Sequence, residues 1–177
     1  MKLLLHICCA NCALYPITTL NKRGFAVTGL WYNPNIHPVT EYNARLDALK
    51  ELQKLWQLSI YYKDVYGLTQ FIKNTADNPQ KRCLYCYNTR LEECAKFSKE
   101  NGFDAFSTTL LYSIYQKYYT IVEIGKLLET KYNIQFYEED FRDGWQEGIN
   151  MSKELLLYRQ KYCGCLYSEK EKKKKKR

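Results

Sequence analysis

The sequence predicts a single α/β domain in which helices flank a parallel sheet. Short apolar runs alternate with longer amphipathic stretches along the whole chain. Residues 3–32 have the predicted order strand, helix, strand within about 30 residues, which is a βαβ signature. The 177 residues suffice for one sizeable core and are few for two full domains.

The first half of the chain divides into six predicted elements. Gly24 ends the first helix, and Asn33-Pro34-Asn35 closes the second strand. The next helix has apolar residues at helical spacing, with Thr40 or the residue before it available as its cap. In chain order, the elements are a strand over 3–8, a helix over 13–22, a strand over 25–32, a helix over 39–58, a strand over 58–65 and a helix over 68–74.

The second half continues the alternation of helices and strands. Asn101-Gly102 ends a long helix, and Gly144 breaks the chain after the fifth strand. The elements are a helix over 81–100, a strand over 104–111, a helix over 120–131, a strand over 134–137 and a helix over 151–158. Ligands of open α/β sheets bind at the carboxyl ends of the strands, and the first and fourth strands end in thiols and hydroxyls.

The chain carries a net charge of +8, which is concentrated at its C-terminus. Seven Lys or Arg residues against two Glu give 168–177 a charge of +5. We therefore expect 1–167 to be the catalytic domain and 168–177 a basic, Lys-rich, disordered tail with a non-specific attraction to phosphate.

The chain is expected to be cytoplasmic and to have no membrane partner. The N-terminal leucine run is too short for a signal peptide, and no run approaches the roughly 18 apolar residues of a membrane span. In that compartment, clustered cysteines are more often metal ligands or catalytic groups than structural disulfides.

Seven of the eight cysteines fall into three groups. The groups are Cys8, Cys9 and Cys12, then Cys83 and Cys86, and finally Cys163 and Cys165. Cys83 and Cys86 open a helix, where the helix dipole favours thiolates. The eighth, Cys94, lies in the middle of a predicted helix and is interpreted as a packing residue.

Three chemistries fit these groups, and the spacing alone leaves them open. A disulfide-exchange centre would use Cys9 and Cys12 and leave the other groups unexplained. A structural zinc site would take the four later cysteines, Cys83, Cys86, Cys163 and Cys165. An iron–sulfur centre with additional thiols uses all seven. A phosphate-binding GxxxxGK[ST] motif is absent, so a nucleotide-activating enzyme is disfavoured.

Five motifs, in one order over residues 3 to 167, resemble those of the QueH-type epoxyqueuosine reductases. They are His6-Ile7-Cys8-Cys9-Ala10; Tyr32-Asn33-Pro34-Asn35-Ile36 followed by Glu41-Tyr42 and Arg45; Lys81-Arg82-Cys83 with Cys86; Phe106-Ser107-Thr108-Thr109-Leu110-Leu111; and Tyr158-Arg159-Gln160 with Tyr162-Cys163-Gly164-Cys165.

The resemblance implies a Rossmann-like (HUP-type) core and an enzyme that reduces the epoxide of epoxyqueuosine to queuosine in tRNA. It implies a [4Fe-4S] cluster on Cys8, Cys9, Cys83 and Cys86, with Cys163 and Cys165 as a redox-active pair. Cys12, where some members carry Asp, would belong to a second, mononuclear iron. An alternative gives that iron Cys8, Cys12 and one of the last two cysteines.

The same resemblance implies roles for polar residues around the metal site. The proton donor is expected among Tyr158, His6 and Tyr32. The partners are the anticodon loop of tRNA and an electron donor that the sequence does not identify. A zinc-stabilised RNA-binding module without redox activity is the alternative function. The residues expected to bind the substrate are Asn33, Lys81, Arg82, Ser107, Thr108, Thr109 and Arg159.

Overall fold

The computed structural model describes residues 1–175 and contains a five-stranded sheet in which every pairing is parallel. The strands are β1 (Lys2–His6), β2 (Ala26–Trp31), β3 (Ile60–Tyr62), β4 (Ala105–Thr108) and β5 (Gln135–Phe136), in the order β3-β2-β1-β4-β5. The helices are α1 (Ala10–Lys22), α2 (Val39–Trp56), α3 (Leu68–Thr75), α4 (Arg82–Glu100), α5 (Tyr118–Tyr132), α6 (Trp145–Glu154) and α7 (Leu166–Lys175). The predicted parallel α/β fold is confirmed.

The central strand β1 explains the apolar run at the start of the chain. Leu3, Leu4 and Leu5 are all completely buried, because β1 pairs with β2 and β4 and is covered on both faces. The strand ends at His6, so the cysteines that follow it lie at the carboxyl edge of the sheet. No helix in residues 1–175 is both long and apolar enough to cross a membrane.

The structure differs from the predicted elements at several of their ends. Strand β3 covers only Ile60–Tyr62 of the predicted 58–65, and α6 begins at Trp145, six residues before the predicted start. Strand β4 ends at Thr108 and is followed by a 3-10 helix over Thr109–Tyr112, so the strand is shorter than predicted. Pro38, and neither Thr40 nor Val39, is the cap of α2. Helix α6 ends at Glu154, four residues before the predicted end.

The predicted disordered tail is helical where it is described. Helix α7 runs from Leu166 to Lys175, and Arg82 donates a hydrogen bond of 2.5 Å to Glu171 in this helix. Residues 176–177 lie outside the described part of the chain.

Replacing Gly125 by alanine is expected to destabilise the fold. A Cβ atom at Gly125 would clash with the ring of the buried Phe136. Overpacking of this kind costs about 1–3 kcal/mol, against about 1 kcal/mol that alanine gains over glycine in a helix. The difference is about 0–2 kcal/mol, and because three Phe136 ring atoms would lie within 2.5 Å of the added Cβ, we expect Gly125→Ala to lower the free energy of unfolding in urea by an amount near the upper end, about 2 kcal/mol. Leu127, in the same helix, is 66% exposed, and Leu127→Ala should stay within about 0.5 kcal/mol of wild type. Equal stabilities of the two variants would contradict this packing.

Candidate metal centre

Cys8, Cys9 and Cys12 converge where β1 passes into α1. Their sulfur atoms all lie within 4.8 Å of one another, and those of Cys8 and Cys9 are 3.9 Å apart. Adjacent residues of a regular strand point to opposite faces, but β1 has already ended at His6. Cys9 caps α1, and its sulfur accepts a hydrogen bond of 3.4 Å from the backbone N–H of Cys12. Within 1–175, no other group of three or more His, Cys, Asp or Glu side chains brings its potential ligand atoms this close together.

Side chains from distant segments donate hydrogen bonds to these sulfurs. The Thr109 hydroxyl lies 3.3 Å from Cys8 Sγ and accepts a bond of 3.0 Å from the Cys8 N–H. Gln160 Nε2 lies 3.0 Å from Cys9 Sγ and 3.6 Å from Cys12 Sγ. The Gln160 amide is itself oriented by Asn11, whose Nδ2 donates to Oε1 at 2.9 Å. Such donors stabilise negative charge on sulfur and tune a bound metal.

The pKa values of the three thiols diverge. Hydrogen bonds from Cys12 and Cys9 hold the pKa of Cys8 well below its usual range. Burial raises the pKa of Cys9, and the hydrogen bond to Cys8 raises that of Cys12. Cys8 is therefore the thiol of this group that ionises most readily, whereas Cys9 and Cys12 hold their protons more tightly. A positive ion among the three sulfurs would favour ionisation of all of them.

The other four grouped cysteines lie in two segments. Cys83 and Cys86 are in the first turns of α4, and Cys163 and Cys165 are in the loop that precedes α7. Burial, with a contribution from nearby Cys163 and Cys165, raises the pKa of Cys86 to about 12 although Arg90 lowers it. The same two thiols add to the rise in the pKa of Cys83 that burial causes. Cys163 is exposed and Cys165 is buried. These four cysteines share one electrostatic environment, although no three of them reach the spacing found at Cys8, Cys9 and Cys12.

Arg90 connects the two sets of cysteines. Its guanidinium is buried and donates hydrogen bonds to Cys86 Sγ at 2.9 Å and to the Cys86 carbonyl at 3.1 Å. Burial opposes the charge of Arg90, but the thiols of Cys86, Cys8 and Cys163 raise its pKa. No carboxylate of residues 1–175 forms an ion pair with it. The Cys86 sulfur and carbonyl are therefore the groups that accept hydrogen bonds from this buried charge.

Arg45 holds the loop that contains Cys163 against the domain. It pairs with Glu41 at 2.7 Å, and it donates to the carbonyls of Tyr162 at 2.8 Å and of Cys163 at 3.0 Å. Gly164, with φ of +139°, has no room for a larger residue beside this guanidinium, because a Cβ there would lie 3.2 Å from Arg45 Nη1.

Several residues expected to bind the substrate are buried and hold the backbone of the site. His6 is hydrogen-bonded to Thr108 at 2.9 Å and to Asn33 at 3.3 Å. Asn33 also donates to the Ile7 carbonyl at 2.8 Å. Burial lowers the pKa of His6 to about 3, which leaves its ring neutral. Ser107, Thr108 and Thr109 are at most 1% exposed, and Thr108 caps the 3-10 helix that follows β4.

The remaining predicted residues lie near the surface. The Tyr158 hydroxyl donates to Glu41 at 2.5 Å, and burial together with this bond raises its pKa to about 12. Arg82 pairs with Glu171 and lies 5.5 Å from the centre of the Tyr167 ring. Lys81 and Arg159 are exposed. The tyrosine at position 32 borders a cavity that also includes Cys86.

Sequence reasoning did not assign roles to Arg90, Gln160 and Gln116. Arg90 could have been found, because it follows Cys86 by four residues on one helix and so shares its face. Gln160 lies 151 residues from Cys9, and Gln116 donates at 3.3 Å to Cys163, which is 47 residues away. These two contacts depend on the fold and leave no local signal.

Comparisons with known proteins identify one family. The family model described as "Epoxyqueuosine reductase QueH" matches residues 3–171. A Dehalococcoides mccartyi protein of that name is 37% identical over 170 residues, which cover 96% of this chain and 93% of that protein. A Thermotoga maritima protein of the same name is 36% identical, with 97% and 92% covered.

A solved structure supports the fold independently. It is described as a predicted subunit of a tRNA methyltransferase from Methanocaldococcus jannaschii, and it superposes with a TM-score of 0.59. The identity is 15%, and the match covers 87% of this chain and 75% of the other. At this identity the similarity concerns the fold alone.

Removing Cys12 is expected to weaken metal binding at the group of three thiols. Protein prepared without metal would be titrated anaerobically with Co²⁺, and binding followed by thiolate-to-cobalt charge-transfer absorption. We expect Cys12→Ala to weaken binding by more than about tenfold, since even residues that only orient a ligand cost 10–100-fold. Cys94→Ala is the matched control, because Cys94 is completely buried and lies 3.8 Å from the Ser107 carbonyl oxygen, outside the three groups. Equal losses in both variants would indicate a general effect on folding.

Proposed function

This chain belongs to the epoxyqueuosine reductase QueH family, and on that premise we propose that it reduces the epoxide of epoxyqueuosine to the alkene of queuosine in tRNA. It is thus an oxidoreductase. The observation that carries the proposal is the group of Cys8, Cys9 and Cys12, whose buried sulfurs converge at the carboxyl edge of the sheet. This edge is where open α/β sheets bind their ligands.

The residues present fit an iron–sulfur centre. Thiolates are the ligands of such clusters, and hydrogen bonds to sulfur adjust their potential. The chain supplies seven grouped thiols, and Thr109, Gln160, Gln116 and Arg90 donate hydrogen bonds to five of them. The buried charge of Arg90 also favours a centre of negative net charge, as a thiolate-bound cluster is.

We place the [4Fe-4S] cluster on Cys8, Cys9, Cys83 and Cys86. Two contacts support this assignment. The sulfurs of Cys8 and Cys9 are 3.9 Å apart. The thiols of Cys86 and Cys8 both raise the pKa of Arg90, so the same guanidinium interacts with both of them. Cys12 then remains for a second, mononuclear iron, and Cys163 and Cys165 form the redox-active pair. All eight cysteines are free thiols in the structure, which is the reduced state of that pair.

Conversion of the epoxide to an alkene breaks both C–O bonds, consumes two electrons and two protons, and releases water. The iron–sulfur centre supplies the electrons when bound. Tyr158 is the proposed proton donor, because its raised pKa keeps the hydroxyl protonated at neutral pH. Glu41 accepts the Tyr158 hydrogen bond and is itself held by Arg45. This ion pair orients the Tyr158 hydroxyl, and because Tyr158 is 38% exposed, the phenolate can take a proton back from solvent after each transfer.

The proposed substrate is the anticodon loop of tRNA. Three basic residues are close in sequence to the cysteine groups: Lys81 and Arg82 precede Cys83, and Arg159 precedes Cys163. Such side chains position RNA through its phosphates. Arg82 also pairs with Glu171, so binding of a phosphate there would compete with that ion pair. The reaction is proposed to take place in the cytoplasm, with electrons delivered by a separate donor. Family membership favours this function over a zinc-stabilised RNA-binding module.

Replacement of Cys163 tests the redox role. Wild-type protein, purified and reconstituted anaerobically and supplied with dithionite as the reductant, should convert epoxyqueuosine in tRNA to queuosine, as measured by mass spectrometry of the digested nucleosides. We expect Cys163→Ala to keep its iron but to be unable to complete more than one turnover, because half of the thiol pair is missing. Cys94→Ala is the control and should retain both. Unchanged turnover by Cys163→Ala would remove this residue from the mechanism, and no conversion by wild type would refute the function.

A further inference from the structure

A small cavity lies beside the cysteine site, at the carboxyl end of β2. Its volume is about 200 Å³. It is enclosed by the loop after β2, by α3 with the loop that precedes it, and by the first turns of α4. The lining residues include Tyr32, Asn35, Gly67, Phe71, Tyr85 and Cys86. One thiol of the proposed cluster therefore forms part of its wall.

The lining of the cavity is suited to a flat ring. Three of the lining residues, Tyr32, Phe71 and Tyr85, are aromatic. The ring centroids of Phe71 and Tyr85 are 6.1 Å apart, and the ring planes make an angle of 59°. Aromatic side chains that face a nucleic-acid site bind bases by stacking. The volume lies below the roughly 300–1,000 Å³ of pockets that enclose a whole drug-sized ligand. It therefore suits one ring system, with the sugar and phosphate left outside.

Asn35 supplies an acceptor that has no donor in the protein. The residue is 5% exposed, and its buried Oδ1 has no hydrogen-bond partner within residues 1–175. A buried carbonyl without a donor costs about 1–3 kcal/mol. Asn35 lines the cavity, so a small rotation of its side chain would let an N–H group of a bound ring supply the missing donor.

The cavity is formed by tightly packed backbone. The Gly67 N–H donates to the Pro34 carbonyl at 3.1 Å, and a Cβ at Gly67 would lie 2.6 Å from Pro34 Cβ. The two loops can approach this closely only because residue 67 is glycine. This contact between the two loops therefore fixes one wall of the cavity.

We propose that this cavity binds the purine-like base of the substrate nucleoside after the base has left the stack of the anticodon loop. Enzymes that modify a base place it in a close pocket, read it by hydrogen bonds and stack it on aromatic rings. Cys86 in the wall brings the side group of the base next to the metal site. The inference rests on the proposed function, and it assigns the base to residues other than Asn33, Ser107, Thr108 and Thr109, which are buried elsewhere.

The test compares two RNA stem–loops, one with epoxyqueuosine at the wobble position and one abasic there. Anaerobic holoenzyme would be titrated with each RNA, and binding measured by fluorescence anisotropy. We expect wild type to bind the modified RNA more tightly than the abasic one by roughly 5- to 150-fold, which is the range for stacking one base. Tyr85→Ala should remove most of this preference and leave the affinity for abasic RNA unchanged, whereas Tyr85→Phe should retain it.

A second pair of variants keeps the result independent of Tyr85. Val65 is 46% exposed at the rim, and Val65→Trp would fill the cavity with little effect on the core. The control is Asn21→Trp, which adds the same ring to a separate cavity bordered by Thr18, Lys22 and Trp56. Iron content, measured for every variant, reports on the integrity of the metal site.

The possible outcomes are distinct. Loss of the preference in Tyr85→Ala and Val65→Trp, with the preference retained in Asn21→Trp, supports the cavity as the base site. A preference that survives both cavity variants, or that wild type lacks, overturns the proposal. Single-turnover reduction of the modified stem–loop by wild type decides the proposed function separately, because it depends on turnover and not on this preference.

Discussion

The structure depends on the burial of positive charge and sulfur in the same place. Arg90 is buried without a carboxylate partner in the described chain, and the side chain that accepts its hydrogen bond is the thiol of Cys86. An unpaired charge in this environment would be strongly destabilising. Conversely, burial raises the pKa values of Cys9 and Cys86, so positive charge nearby is needed to favour their thiolates. The proposed cluster with thiolate ligands would supply both the negative charge that Arg90 lacks and the positive ions that the thiolates need.

This constraint explains why the C-terminal segment is part of the site. Arg45 binds the carbonyls of Tyr162 and Cys163, and Gln160 donates to Cys9. The segment after α6 thus closes over the ends of β1 and α4, and it carries the exposed Cys163 to the surface of the site. An exposed thiol beside a buried metal centre can exchange electrons with a partner that never reaches the interior. The positions of Cys163 and Cys165 support the role proposed for the pair.

Much of the fold could be predicted because local patterns carry it. The run that contains Leu3, Leu4 and Leu5 predicts a strand covered on both faces, and β1 is that strand.

The hydroxyls at 107–109 show where local reasoning fails. Their position at the end of β4 was readable, but β4 lies between β1 and β5 and is covered on both faces. Side chains on such a strand are buried. Thr108 caps the 3-10 helix and Thr109 accepts from the Cys8 N–H, whereas the Ser107 hydroxyl has no partner within residues 1–175. The base cavity depends on contacts between loops distant in sequence, which no single motif contains.

The most direct test of the iron–sulfur assignment is the metal and sulfide content of protein purified anaerobically. A [4Fe-4S] cluster with a second iron predicts a brown protein with about four to five iron atoms and about four labile sulfides per chain, whose broad visible absorption bleaches with dithionite. A colourless protein that holds stoichiometric zinc, and that takes up no iron on anaerobic reconstitution, would contradict it.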